Sequence, residues 1–299
     1  KVEIDTLCAP LLLALRLFAE TGDATIFDTD FWTTLAVIVD VFEQEQHHEH
    51  SPYFFRRPNT ASNDTLPHQG YGSPVAVTGL IWDGFRPSDN RCEHGYHIPA
   101  NLLAKTVLTS LLPYIPENRQ ALAIRVKTLV AAISQGITEY GIQTLPSGER
   151  GFAYEVDGLG HACFMDDANV PSLLSLPFLG ALSAEDPLYI ATKSFVTSMQ
   201  NPYFYKGSVL QGIGSEHTPP RYVWPIAVAM EGLVATADSI KQDKLALIAA
   251  TTGDTGQCHE GVHQDDSRQY TRTWFSWANM TFCQLALDVI QWQKREVKP

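Results

Sequence analysis

Two stretches of this sequence concentrate the residue types that do chemistry. The first, GLIWDGFRPSDNRCEHGYHIPAN at 79–101, sets Trp82, Phe85, Arg86 and Asp89 among glycines and prolines that bar an ordinary helix. Aromatic faces that stack on C–H surfaces, beside charged groups that grip hydroxyls, are the composition of a sugar site. Hydrolysis of a glycosidic bond needs two carboxyl groups: one protonates the departing oxygen, and the other activates water or attacks the sugar. Asp83, Asp89, Glu155, Asp157, Asp166, Asp167 and Glu260 are all candidates, and spacing does not rank them. The second stretch, His259-Glu260-Gly261-Val262-His263, matches the H-E-x-x-H signature of zinc proteases. That signature works only when both histidines project from one face of a helix. Here Gly253, Gly256 and Gly261 surround it and Asp265-Asp266-Ser267 follows, so the segment reads as a loop. Glu260 is then a loop carboxylate held by its neighbouring histidines or by Arg272. The run His47, His48, Glu49, His50 reads as a solvated helix end, because consecutive residues point in different directions.

The elements that must position these groups are mostly helices. Apolar stripes at helical spacing predict helices over 5–20, with Leu7, Leu11, Leu12, Leu15 and Phe18 inward and a stop at Gly22, and over 30–45, with Asp30 as N-cap. Further helices are predicted after Pro99 and over 117–139, 187–200, 223–240, 242–252 and 273–293. Another opens near Asn169-Val170-Pro171, where proline suits a first turn. Strand signals are sparse. Polar connectors recur before alternate helices, the pattern of a toroid of paired helices with one chemically active end. No Pro/Gly/Ser-rich linker divides residues 1–299, which favours a single domain.

The chain has 21 basic and 33 acidic residues, a net charge of -12, and no Lys/Arg run. A nucleic-acid backbone or an anionic membrane surface is therefore an unsuitable partner. The apolar run at 11–15, like every other unbroken one, is far short of the roughly 20 residues of a membrane span. Five widely spaced cysteines fit reduced thiols better than a disulfide framework. No signal peptide is visible in these residues, and localisation and oligomeric state are left open.

Taken in order, WDGFRPSDN, YEVDGLG, FMDDANVPSLLSLPFLG, IGSEHT, HEGVH and TRTWFSWAN resemble the glycoside hydrolase family 125 exo-α-1,6-mannosidases. The resemblance runs from about residue 5 to the C-terminal helix. It implies an all-α (α/α)6 barrel, metal-independent removal of non-reducing-end mannose from α-1,6 linkages of oligosaccharides or N-glycans, inversion at the anomeric carbon, and no cofactor. It also implies that Asp89 is the general acid and Glu260 the general base, with Asn90 standing where the family carries a second Asp. Arg86, Asp167, His217 and Trp277 lie in matching motifs and join Trp82 as expected sugar contacts. Relatives carry an N-terminal segment and first barrel helices before the point where this sequence starts, so the expectation is a barrel incomplete at that end. Two competing readings remain: a mannoside-binding chain without catalysis, and a zinc peptidase using His259, Glu260 and His263.

Overall fold

The computed structural model describes residues 1–296. In chain order the regular elements are α1 (Ile4–Thr21), α2 (Thr29–Glu45), β1 (Tyr96–His97), α3 (Ile98–Leu111), α4 (Gln120–Gly136), β2 (Ile142–Thr144), β3 (Arg150–Phe152), β4 (Glu155–Val156), β5 (Ala162–Cys163) and α5 (Pro187–Val196). They continue with β6 (Phe204–Lys206), β7 (Gln211–Ile213), β8 (Tyr222–Val223), α6 (Pro225–Leu233), α7 (Asp238–Ala250), β9 (Gly261–His263), β10 (Asp266–Thr271) and α8 (Ser276–Glu296). Helices predominate, as the stripes predict. Strands are more numerous than the sequence suggests, but they are short and form only two- and three-stranded sheets. The chain divides into two compact units, Lys1–Gln143 with Phe152–Cys163, and Thr144–Gly151 with Phe164–Pro299.

In the first unit α1 buries Ile4, Cys8, Leu11 and Ala14 and packs on α3. This face is rotated from the predicted one, and Leu13 and Leu17 are exposed. The helix stops where foreseen: Gly22 adopts φ 69° and returns its N–H to the Phe18 carbonyl. The cap of α2 is Asp28 rather than Asp30, its Oδ1 accepting from Phe31 N at 2.8 Å. Helix α3 is buried nearly all round, with Pro99 in its first turn. The run Glu117–Gly141 is long and apolar enough to cross a membrane by length and composition alone. Its apolar side, Leu122, Val126, Leu129 and Ile133, is buried, and α4 packs on α3, as a core helix does. An antiparallel sheet of order β1-β4-β5 sets Glu155 opposite His97.

In the second unit α6, α7 and α8 pack on one another. The predicted helix over 223–240 ends at Leu233, and a separate α7 begins at Asp238. Gly232 lets Leu285 of α8 come close, since a Cβ there would meet its methyl carbons at 2.9 and 3.0 Å. No helix opens at Asn169. Instead the Asp166 carboxylate accepts from Leu173 N at 2.8 Å and Leu174 N at 2.9 Å, organising a series of turns that bury Leu173, Leu174 and Leu176. Burial pushes this carboxyl up to about 8, against the pull of the two amides. A second sheet, of order β10-β9-β8, carries the H-E-x-x-H segment.

Candidate active site

In the first unit the segment 83–95 folds back on itself as a hairpin. Asp83 N donates to Gly95 O at 2.7 Å, Cys92 N to Gly84 O at 3.0 Å, and Arg86 N to Asn90 O at 2.7 Å. Phe85 and Arg91 form a bridge between the two arms. Asp89 stands at the tip with φ 70°, a left-handed conformation that Asp tolerates better than most residues. Its side chain is 65% exposed, and Oδ1 accepts from Lys1 Nζ at 2.6 Å. Asp83, at the base of the hairpin, is 0% exposed. Its Oδ1 accepts from Ile4 N at 3.3 Å, its Oδ2 lies 3.9 Å from His97 Nδ1, and burial holds its carboxyl well above the usual range. His97 is equally buried and is pushed down to about 3. Beside it, Glu155 accepts from Arg86 Nε at 2.6 Å. Burial acts to raise the Glu155 carboxyl, and Arg86 overrides it, leaving it below the ordinary value.

Two expected sugar contacts of this unit are placed differently. Trp82 is 1% exposed, with His48 stacked on its ring at a centroid distance of 3.5 Å. Glycines close the slot: a Cβ on Gly72 or Gly95 would meet the indole at 2.7 or 2.9 Å, and both residues have positive φ. Arg86 is 2% exposed, its guanidinium turned inward onto Glu155. Neither offers a surface to a ligand, because a buried aromatic in close contact and a buried cation on its counter-ion have no free face. His48 is not solvated either, since Glu45 Oε2 lies 2.6 Å from its Nδ1.

In the second unit His259 and Glu260 lie just before β9, which carries Gly261 and His263, so the H-E-x-x-H segment is loop and strand rather than helix. The His259 ring stacks on Tyr270 at 3.6 Å, and its nitrogens lie 3.1 Å from Arg272 O and 3.0 Å from Thr252 O. His263 Nδ1 takes Asp265 N at 3.3 Å. With both imidazoles so engaged, the helical two-histidine arrangement of the zinc reading is not formed. Glu260 is buried; its N–H donates to Thr271 O at 3.2 Å and its Oε1 lies 2.7 Å from Arg272 Nε. Of the two holders expected, Arg272 is the one in place. The other oxygen, Oε2, accepts no hydrogen bond among the described residues.

Around Glu260 the aromatic rings form a row. Trp224 meets Phe275 edge-on at 5.9 Å, and Phe275 lies 6.4 Å from Trp277. Arg272 sits over Phe275 at 5.5 Å. Trp277 is half-buried and His217 exposed, the latter edge-on to Trp224 at 6.5 Å. Asp167 is buried and accepts from Ser215 Oγ at 3.0 Å and Asn169 Nδ2 at 2.9 Å. Ser215 Oγ in turn takes His217 N at 3.1 Å. Ser215 and Glu155 are members of these networks that sequence reasoning did not single out for such roles.

Known proteins resemble this chain in sequence and in fold. The family described as metal-independent alpha-mannosidase (GH125) matches residues 1–287. The meiotically up-regulated gene 157 protein of Schizosaccharomyces pombe is 36% identical over 303 residues, which cover 97% of this chain and 60% of the yeast protein. This chain thus spans well under two thirds of that relative. A solved Streptococcus pneumoniae structure, from a family of widely distributed metal-independent alpha mannosidases and held in a non-productive complex with alpha-1,6-mannobiose, superposes with a TM-score of 0.94. It is 43% identical, over 97% of this chain and 69% of its own. By sequence and by fold, the chain belongs to the GH125 family of metal-independent alpha-mannosidases.

Proposed function

We propose that this chain carries the catalytic carboxylates of an α-mannosidase that releases terminal mannose from α-1,6-linked oligosaccharides or glycans with inversion, on an (α/α)6 framework. Glu260 is the general base and Asp89 the general acid. The observation that carries the reading is the state of Glu260: one oxygen lies 2.7 Å from Arg272 Nε, and the other accepts no hydrogen bond among the described residues. That is what a group needs in order to take a proton from an attacking water without becoming the nucleophile itself. The mannobiose bound by the pneumococcal relative supports the linkage.

Asp89 is preferred to Asp83 as acid on exposure. A proton donor must come within hydrogen-bond reach of the leaving oxygen, and the open carboxyl at the hairpin tip can do so. Asp83 has the raised carboxyl of an acid but no surface. If Asp83→Asn abolishes turnover while Asp89→Asn does not, the assignment passes to Asp83. Trp277, His217 and Asp167 are assigned to the sugar, Trp277 by stacking, and Asp167 through its hold on Ser215 and the backbone of His217.

Incubation with α-1,6-linked mannobiose, followed by proton NMR from the first turnovers, tests the reading. β-Mannose should appear first and equilibrate to α. Initial α-mannose would contradict inversion, and no free mannose would favour a chain that binds mannosides without cleaving them.

A further inference from the structure

We infer that Glu155, a buried residue with no sugar to touch, is the positioning residue for proton donation: its carboxylate holds the two arms of the hairpin whose tip carries Asp89. The inference rests on Asp89 being the acid. An isolated two-stranded hairpin is marginally stable in water, and this one, whose turn places Asp89 at φ 70°, needs an outside constraint to hold its tip in one place. Glu155 supplies that constraint. Oε1 accepts from Arg86 Nε at 2.6 Å, on the arm before the turn. Oε2 accepts from Glu93 N at 2.8 Å and His94 N at 3.1 Å, on the arm after it. The carboxylate itself is immobile, because Glu155 is 0% exposed and sits on the middle strand of its sheet, paired with His97 on one side and Cys163 on the other. By contrast, the Arg91 guanidinium grips Glu93 and Ser62 O from the second arm only.

A carboxylate here accepts from three donors on two arms. Glutamine has the same shape but presents an amide N–H₂ on one side, so a donor on one arm would face another donor. The turn would loosen and Asp89 would drift from the leaving oxygen, where a displacement of about 1 Å costs on the order of a hundredfold. Water activation at Glu260 would be untouched. The signature is therefore dependence on the leaving group, which a merely structural residue does not give.

The test compares the full chain with Asp89→Asn and Glu155→Gln on two substrates, α-1,6-mannobiose, whose sugar leaving group must be protonated, and α-mannosyl fluoride, whose fluoride leaves with little help. Asp89→Asn should lose about a thousandfold in kcat on mannobiose and less than about tenfold on the fluoride. Glu155→Gln should follow the same pattern at about 30- to 100-fold against less than about threefold, with KM nearly unchanged. If Asp89→Asn shows the selective loss and Glu155→Gln falls equally on both substrates, Glu155 is only structural and the inference is overturned. If Asp89→Asn itself falls equally on both, it is the assignment of the acid that fails. Should circular dichroism show Glu155→Gln unfolded, Glu155→Asp, which keeps a charge for Arg86 on a shorter stem, carries the same comparison.

Discussion

Asp89 stands on the tip of a hairpin in one unit, its carboxyl open to solvent while the loop beneath it is fixed by buried groups; Glu260 in the other unit is itself buried, and the cation that holds it, Arg272, is 58% exposed. In the first region the order lies in the framework, in Arg86 on Glu155 and Trp82 in its glycine slot. In the second it lies in the strand ladder under the carboxylate, where Glu260 N and Gly261 N both bond to Thr271, through its carbonyl and its hydroxyl. A proton donor must reach out to an oxygen on the substrate, whereas a base must keep one oxygen fixed toward a single water. The roles proposed for Asp89 and Glu260 make these opposite demands, and substitutions should therefore act differently in the two regions.

The largest effect belongs to Glu260. Glu260→Gln should lower kcat about a thousandfold on mannobiose and on mannosyl fluoride alike, since water activation is needed whatever leaves; steady-state assays on the two substrates check it, and a loss confined to mannobiose would make Glu260 an acid. Arg272→Met comes next. Releasing Oε1 lets the base wander, and kcat should drop roughly 10- to 100-fold with stability almost unchanged, because an ion pair with so exposed a partner adds little to folding. Thermal unfolding beside kinetics separates the two effects.

How these regions could be read from the sequence differs too. The helical span of α2, the Gly22 stop, the loop character of the H-E-x-x-H segment and Arg272 as a holder of Glu260 are all local features, set within a dozen or so residues, and the structure has them. Trp82, Arg86 and His48 were misplaced because burial of an aromatic or charged side chain depends on a distant partner. Arg86 and Glu155 are 69 positions apart, and nothing in either segment announces the other. Composition correctly marks such residues as unusual, but an aromatic–arginine loop looks the same whether it faces a sugar or braces its own backbone. The Asn169 segment failed for a different reason: Asp166 takes the amides of Leu173 and Leu174 directly, and that capping diverts a plausible helix start into turns.

The tightness of the hairpin framework gives a third expectation, in stability. Gly95→Ala would push a methyl to 2.7 Å from Val75 and 2.9 Å from Trp82 at positive φ, and urea denaturation should show a loss of about 2–3 kcal/mol. Gly256→Ala in the second unit also has positive φ but nothing within 4 Å, so its cost should be about 1 kcal/mol, the conformational penalty alone. Equal losses would contradict the contrast between the two regions.

A further expectation concerns pH dependence. His97 is pushed down to about 3 by burial, so between the ordinary histidine value near 6.5 and about 3 the unfolded chain binds a proton that the folded chain refuses. Stability is lost as pH falls through that window, by at most about 1.4 kcal/mol per unit. Asp83 works in the opposite sense, because its raised carboxyl keeps a proton that the unfolded chain releases above about 3.9. The useful quantity is therefore the difference between variant and parent: His97→Gln should flatten the decline from pH 6 to pH 4 and leave the trend above pH 7 unchanged, as read from urea midpoints.

The division of labour between the two regions is tested most directly by chemical rescue. Glu260→Ala and Asp89→Ala are each given α-mannosyl fluoride with sodium azide, and the products are identified by NMR. If Glu260 stands on the water side, azide takes the place of the activated water in Glu260→Ala, restoring turnover and giving β-mannosyl azide, with no such rescue of Asp89→Ala. Azide rescue of Asp89→Ala alone, or α-mannosyl azide as the product, would contradict the account.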